Sequence, residues 1–163
     1  ELREAQMMAL SVANTGMAVT LDVGNVEDIH PIDKRPVGER LALWALAKDY
    51  GKEEIVFSGP IYKSMEIEGD KIRISFEYTA DGLAAKGGEL REFSIAGEDR
   101  NFVKAKAVIE GDQIVVSSDK VEKPVAVRFA WRNGALPNLF NSAGLPACSF
   151  RTDNWLAETF DNR

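Results

Sequence analysis

The chain has 163 residues, a net charge of −6 and 45% hydrophobic residues. That length and apolar content permit a packed core and exclude global disorder. No Lys/Arg run interleaves with aromatics, so a nucleic-acid footprint is missing, and no apolar stretch approaches the roughly 18 residues of a membrane-spanning helix.

Leu2 to Leu10 consists of strong helix formers and is predicted to be helical, with Asn14-Thr15-Gly16 breaking the segment. Met17 to Val23 is mostly apolar and predicts a strand buried on both faces of a parallel sheet, ended by Gly24-Asn25. A second helix is expected to begin between Asp33 and Pro36, with Asp33 as its N-cap and Gly51 as its stop. Val37, Leu41 and Trp44 form one stripe on it and Leu43, Leu46 and Tyr50 another, giving a wide apolar face.

Between this strand and helix lies Glu27-Asp28-Ile29-His30-Pro31, with the only histidine of the chain. Proton transfer by an imidazole near neutral pH has no other candidate. Pro31 disfavours the helical conformation for His30, and in an extended segment residues two apart point the same way. Asp28 can then accept from the His30 ring N–H, which is the orienting half of a Ser-His-Asp arrangement. A nucleophile half is not evident. Ser58-Gly59-Pro60 and Gly111-Asp112-Gln113 are the nearest strings, and neither is a Gly-Asp-Ser block. Asp22 reads as an end-of-strand hydrogen-bonding residue, and Glu39 and Arg40 as a solvated helix face.

After Lys52 the pattern changes to short strands and turns. Ile61 to Ile67 and Lys71 to Tyr78 flank Glu68-Gly69-Asp70 as one hairpin. Phe102 to Ile109 and Gln113 to Ser117 flank Glu110-Gly111-Asp112 as a second. Glu92 to Ala96 and Val125 to Trp131 are further strands, and Met65, Ile67, Ile72, Ile74 and Phe76 are expected in the core. The spacing predicts an antiparallel sandwich. Residues 133–163 predict an ordered irregular wrap that buries Leu139, Phe140, Phe150 and Trp155. Arg151, Asp153 and Trp155 are expected as a buried ion pair and aromatic anchor for the tail, with sugar stacking the competing role. Cys148 is the only cysteine and excludes an internal disulfide; it reads as inert filler. No cofactor or metal is expected, since no His/Cys/Asp cluster has ligand spacing and no Gly-rich phosphate loop occurs. Residues 1 to 52 cannot stand alone, because one strand and two helices bury too little apolar surface.

Several blocks, taken in order, resemble bacterial sialate O-acetylesterases. They are Leu2-Arg3-Glu4-Ala5-Gln6, Asn14 to Thr20, Asp28-Ile29-His30-Pro31 and Val37 to Ala45. Ser58-Gly59-Pro60, Ile95 to Asp99, Val127 to Trp131, Asn138-Leu139, Gly144 to Ala147 and Phe150 to Trp155 continue the match. The resemblance covers nearly the whole chain and is to the C-terminal part of these SGNH/GDSL-type hydrolases. It implies an α+β chain: residues 1–52 as the last strand and helices of a flavodoxin-like α/β/α esterase domain, and 53–163 as a jelly-roll-like β-sandwich domain. It also implies a serine esterase that removes O-acetyl groups from sialic acid or a related sugar without a cofactor, in the periplasm or outside the cell. His30 would be the general base, and the nucleophilic Ser and oxyanion hole would lie in an N-terminal remainder. The usual acid position, three residues before the His, holds Glu27, so Asp28, Glu27 or a backbone carbonyl could orient the ring. The competing functions are a non-catalytic accessory or carbohydrate-binding module and a structural interface domain.

Overall fold

The computed structural model describes residues 1–157 and 159. Helix α1 spans Leu2–Met8 and tightens into a 3-10 turn at Ala9–Ser11. Helix α2 spans Arg35–Lys48. Its N-cap is Lys34 rather than Asp33, and no side chain caps it; Pro36 in the first turn supplies the preset φ that starts the helix. At its C-terminal end Gly51 adopts φ +67° and Lys52 N–H returns to the Leu46 carbonyl at 3.0 Å, so the stop falls where expected.

The expected strand at Met17–Val23 is not formed. Residues 15–20 run irregularly and 21–23 turn, with no ladder partner for any of them. A strand of a parallel sheet owes its hydrogen bonds to its neighbours, and the β-rich part does not supply them. The segment instead lies along α2. Gly16 passes so close to Trp44 that a Cβ there would sit 2.8 Å from the Trp44 Cβ.

Ten short strands follow, all paired antiparallel: β1 Ile61–Glu68, β2 Lys71–Glu77, β3 Leu83–Ala85, β4 Phe93–Ala96, β5 Val103–Lys104, β6 Lys106–Glu110, β7 Gln113–Ser117, β8 Ala126–Phe129, β9 Leu139–Asn141 and β10 Phe150–Arg151. They make sheets of order β1-β2-β7-β6, β10-β8-β4-β5 and β3-β9. Both expected hairpins occur, with Glu68 opposite Lys71 and Glu110 opposite Gln113. Gly69 and Gly111 take φ +66° and +67° in these two-residue turns.

The run read as one strand from Phe102 to Ile109 is two. It leaves the second sheet after β5, passes Ala105, and enters the first as β6. Ala105 is buried, and its N–H donates to the Phe93 carbonyl at 3.0 Å. The two four-stranded sheets share one core. Ile72, Ile74, Ile114 and Val116 from the first meet Phe93, Ile95, Val127 and Phe129 from the second. Phe150 lies at the junction, stacked on Tyr62 at 5.0 Å and against Phe76, Phe93 and Phe129 at 5.7, 6.4 and 5.6 Å. Of the expected core residues, Ile67 is half exposed near the hairpin end of β1, opposite the buried Ile72. Over its described residues the tail wraps as expected, interrupted by β9 and β10, with Leu139, Phe140 and Phe150 buried and Trp155 partly so; residues 158 and 160–163 of the expected wrap lie outside the described residues.

Candidate functional site

The His30 loop is built by its own side chains. Asn25 Oδ1 accepts the Glu27 N–H at 2.9 Å, and Asp28 Oδ1 accepts the His30 N–H at 2.8 Å. These are consecutive Asx turns, in which a short carboxyl or amide stands in for a backbone acceptor two residues back. The segment at His30 is therefore a bend and not the extended run expected from Pro31. Asp28 holds His30 through the backbone amide. Glu27, Asp28 and His30 are all exposed, and Ile29 and Ile32 beside them are 88% and 98% exposed.

Below the loop, Arg40 reaches across from α2. It donates to both Asp22 oxygens at 2.7 Å and to the Val19 carbonyl at 2.5 Å. Its side chain is only 12% exposed, so Arg40 is a clamp on the segment leading to His30 rather than part of a solvated face. Glu39 does sit on that face, paired with Arg35 one turn earlier at 2.6 Å. A cleft of about 710 Å³ opens beside the loop, between α1, residues 16–21, α2 and residues 134–136, and reaches Asn25 and Val26. Cys148 lies in its wall, where burial pushes the thiol up to about 11 and keeps it protonated and unreactive. Among the described residues no group of three or more His, Cys, Asp and Glu could hold a metal ion.

The cluster at the tail is an ion-pair network. Arg128 binds Asp153 in bidentate fashion at 2.8 and 2.9 Å, and Arg151 lies 3.7 Å from the same carboxylate. Burial alone would raise the Asp153 pKa, but the Arg128 hydrogen bonds and charge, the Trp155 N–H and Arg151 outweigh it, and the net shift is downward. Arg151 also donates to Glu4 at 2.8 Å and to the Trp155 carbonyl at 2.6 Å, which ties α1 to β10. Guanidinium groups cover the aromatic faces nearby: Arg128 over Phe102, Arg151 over Trp131 and Arg100 over Trp155. Those faces are occupied by cations, which favours the anchoring role over sugar stacking. Arg128 is the partner that sequence reasoning missed, because its strand position gave no hint that Asp153 would return to it.

The chain is 28% identical over 150 residues to the sialate O-acetylesterases of Homo sapiens and Pongo abelii, covering 84% of this chain. The chain is a relative of the sialate O-acetylesterases. It spans 29% of the length of these two curated relatives. It is also similar to the crystal structure of a carbohydrate acetylesterase from Xanthomonas citri, with TM-score 0.89 and 44% identity over 94% of this chain and 36% of that one. No protein-family model matches.

Several of the blocks that carry the resemblance meet in space. Gly59 runs so close to Pro146 that a Cβ would lie 2.0 Å from its carbonyl oxygen. Asn141 donates to the Ser58 and Tyr78 carbonyls at 2.9 Å each, and Cys148 N–H to Pro60 at 3.0 Å. Asn138 is buried and satisfied by Lys86, Glu89 and Arg91. Ser58 is buried, and its hydroxyl donates to the Gly59 carbonyl at 3.0 Å, so this block is architecture and not a nucleophile.

Proposed function

We propose that this chain is the C-terminal part of a carbohydrate O-acetylesterase acting on acetylated sialic acid or a related sugar. The carrying observation is the likeness to the Xanthomonas citri carbohydrate acetylesterase, at 44% identity over 94% of this chain. In this reading residues 1–52 close a flavodoxin-like α/β/α domain of the SGNH type, and 53–163 form a β-sandwich beside it. The exposed apolar side chains Val12, Val26, Ile29, Ile32 and Leu41 support a covering surface over the first part. That surface is the N-terminal remainder, which carries the nucleophilic serine and the oxyanion donors. The protein works in the periplasm or outside the cell.

His30 is the general base. It takes the serine proton as the hydroxyl attacks the acetyl carbon, then returns a proton to the departing sugar oxygen. Water repeats the cycle to release acetate. Asp28 orients this base, holding at least its backbone at 2.8 Å.

The test is His30→Ala in the complete enzyme, expected to lower kcat about 10³-fold with an unchanged fold. Wild-type turnover in that variant would overturn the assignment. Asp28→Asn preserves an oxygen for the turn, so a loss of about 10-fold or less assigns Asp28 to the backbone, whereas about 10³-fold or more assigns it to the ring. Glu27→Gln is expected to be nearly silent. The 163-residue chain alone should not cleave aryl acetates above background, because in this reading the nucleophile and the oxyanion donors belong to the N-terminal remainder.

A further inference from the structure

The loop that carries His30 meets the β-rich part at Val26. Gly134 takes φ +64°, and a Cβ on it would lie 3.3 Å from Val26 Cγ1 and 3.6 Å from Val26 Cβ. Both the left-handed backbone and the overlying valine therefore ask for glycine. The Gly134 loop is itself anchored. Arg132 donates from Nε and Nη2 to the two Glu92 carboxylate oxygens at 2.9 and 2.5 Å, and the Leu136 N–H donates to Glu92 Oε1 at 3.3 Å. Glu92 is fixed in turn at φ +67°, with its carbonyl accepting the Ala130 N–H at 2.9 Å. Ala135, next to Gly134, is buried. On the other side, Val26 sits inside the Asn25 turn and two residues before Asp28, whose carboxylate holds the His30 amide.

We propose that Gly134 is a positioning residue for His30. The loop anchored on Glu92 and Arg132 sets the height of Val26, and through the two Asx turns it sets the place of the imidazole. The inference rests on the reading of His30 as the base. For a base, a misplacement of about 1 Å costs up to roughly 10²-fold in rate.

His30 is the only histidine, so its ring gives one proton resonance set in the 163-residue chain. Gly134→Ala should shift the His30 Hε1 resonance, since Val26 must move by a few tenths of an ångström. Adding Val26→Ala removes the clash and should return the resonance toward its original position. A strain arising only from the alanine φ would not be rescued in this way. An unmoved resonance in Gly134→Ala, or a shift that Val26→Ala does not reverse, overturns the proposal. If Gly134→Ala does not fold by circular dichroism, Glu92→Gln is the second variant; it should also shift the resonance, and an unmoved signal is again fatal. The two readings fail separately. A rescued shift with His30→Ala fully active in the complete enzyme sinks the base assignment, while an unmoved shift with His30→Ala inactive sinks only the role of Gly134.

Discussion

Residues 1–57 contain no buried residue, whereas the two sheets that follow close on a core in which Ile72, Ile74, Ile95, Ile114, Val116, Val127 and Phe129 are fully buried. The two regions are stabilised by different means. The sheets hold themselves by apolar burial and alternation. The first region is pinned to them at discrete points: Arg3 on Ser149 and the Ala130 and Arg132 carbonyls, Glu4 on Arg151, Leu21 on the core, and Phe57 on Tyr78. Stability is thus concentrated in one region, while the only imidazole is displayed on the other. Lesions in the two should separate: core substitutions unfold the sheets, and those at the pins loosen the display while the sheets stand.

The largest expected effect tests the core side. Phe150 bridges both sheets, so Phe150→Ala should destabilise by about 3–5 kcal/mol, read as a fall in the denaturant midpoint. A loss no larger than that of an exposed Leu156→Ala would show that the sheets do not depend on one shared core.

Next comes Asp153, whose side chain is 1% exposed. Asp153→Asn leaves Arg128 without its bidentate partner and should cost about 2–4 kcal/mol. The pH dependence follows from the sign of the shift. Because the folded pKa is lowered, this contribution is complete above the ordinary carboxylate value of about 4 and is lost as pH falls through the lower folded value. Glu92 behaves alike: burial raises its pKa, but Arg132 and the Leu136 N–H outweigh that and bring it down. Acid unfolding monitored in wild type and Asp153→Asn should therefore converge at low pH. Parallel curves would remove Asp153 from the acid transition.

These contrasts also mark what was legible beforehand. The hairpins at Gly69 and Gly111 were, because turn chemistry and alternation are local. So was α2, apart from its cap. The break at Ala105 was not, since a strand that changes sheets keeps its alternation across the corner. Met17–Val23 misled for the opposite reason: its composition is that of a buried strand, but a strand needs partners that composition cannot supply. At the candidate site the residues His30 and Asp28 were legible as a pair. Their geometry was not, because an Asx turn and an extended segment place the same two residues two apart. Arg40 read as solvated since nothing in a helix period shows which neighbour will approach it.

A smaller effect probes the Arg40 clamp inside the first region. Arg40→Gln should cost roughly 1–2 kcal/mol as local opening of residues 16–23, with the sheets unaffected. Hydrogen exchange should speed up in that segment and not in β2 or β7. Equal acceleration in both would mean that the two regions unfold as one unit.

The smallest effect is expected at Glu4. Its pair with Arg151 leaves both side chains under a fifth exposed, but Arg151 keeps the Trp155 carbonyl and Asp153 when Glu4 is lost. Glu4→Gln retains an amide oxygen that can still accept from Arg151, so the cost should be about 0.5–1 kcal/mol or less. Arg3 still holds α1 through Ser149 and two carbonyls. The expected signature is faster exchange across Leu2–Met8 alone, with an unchanged thermal midpoint. A midpoint loss approaching that of Asp153→Asn would show that α1 belongs energetically to the sheets, and the division between a self-supporting core and a pinned display would then have to be drawn after Met8 rather than at residue 57.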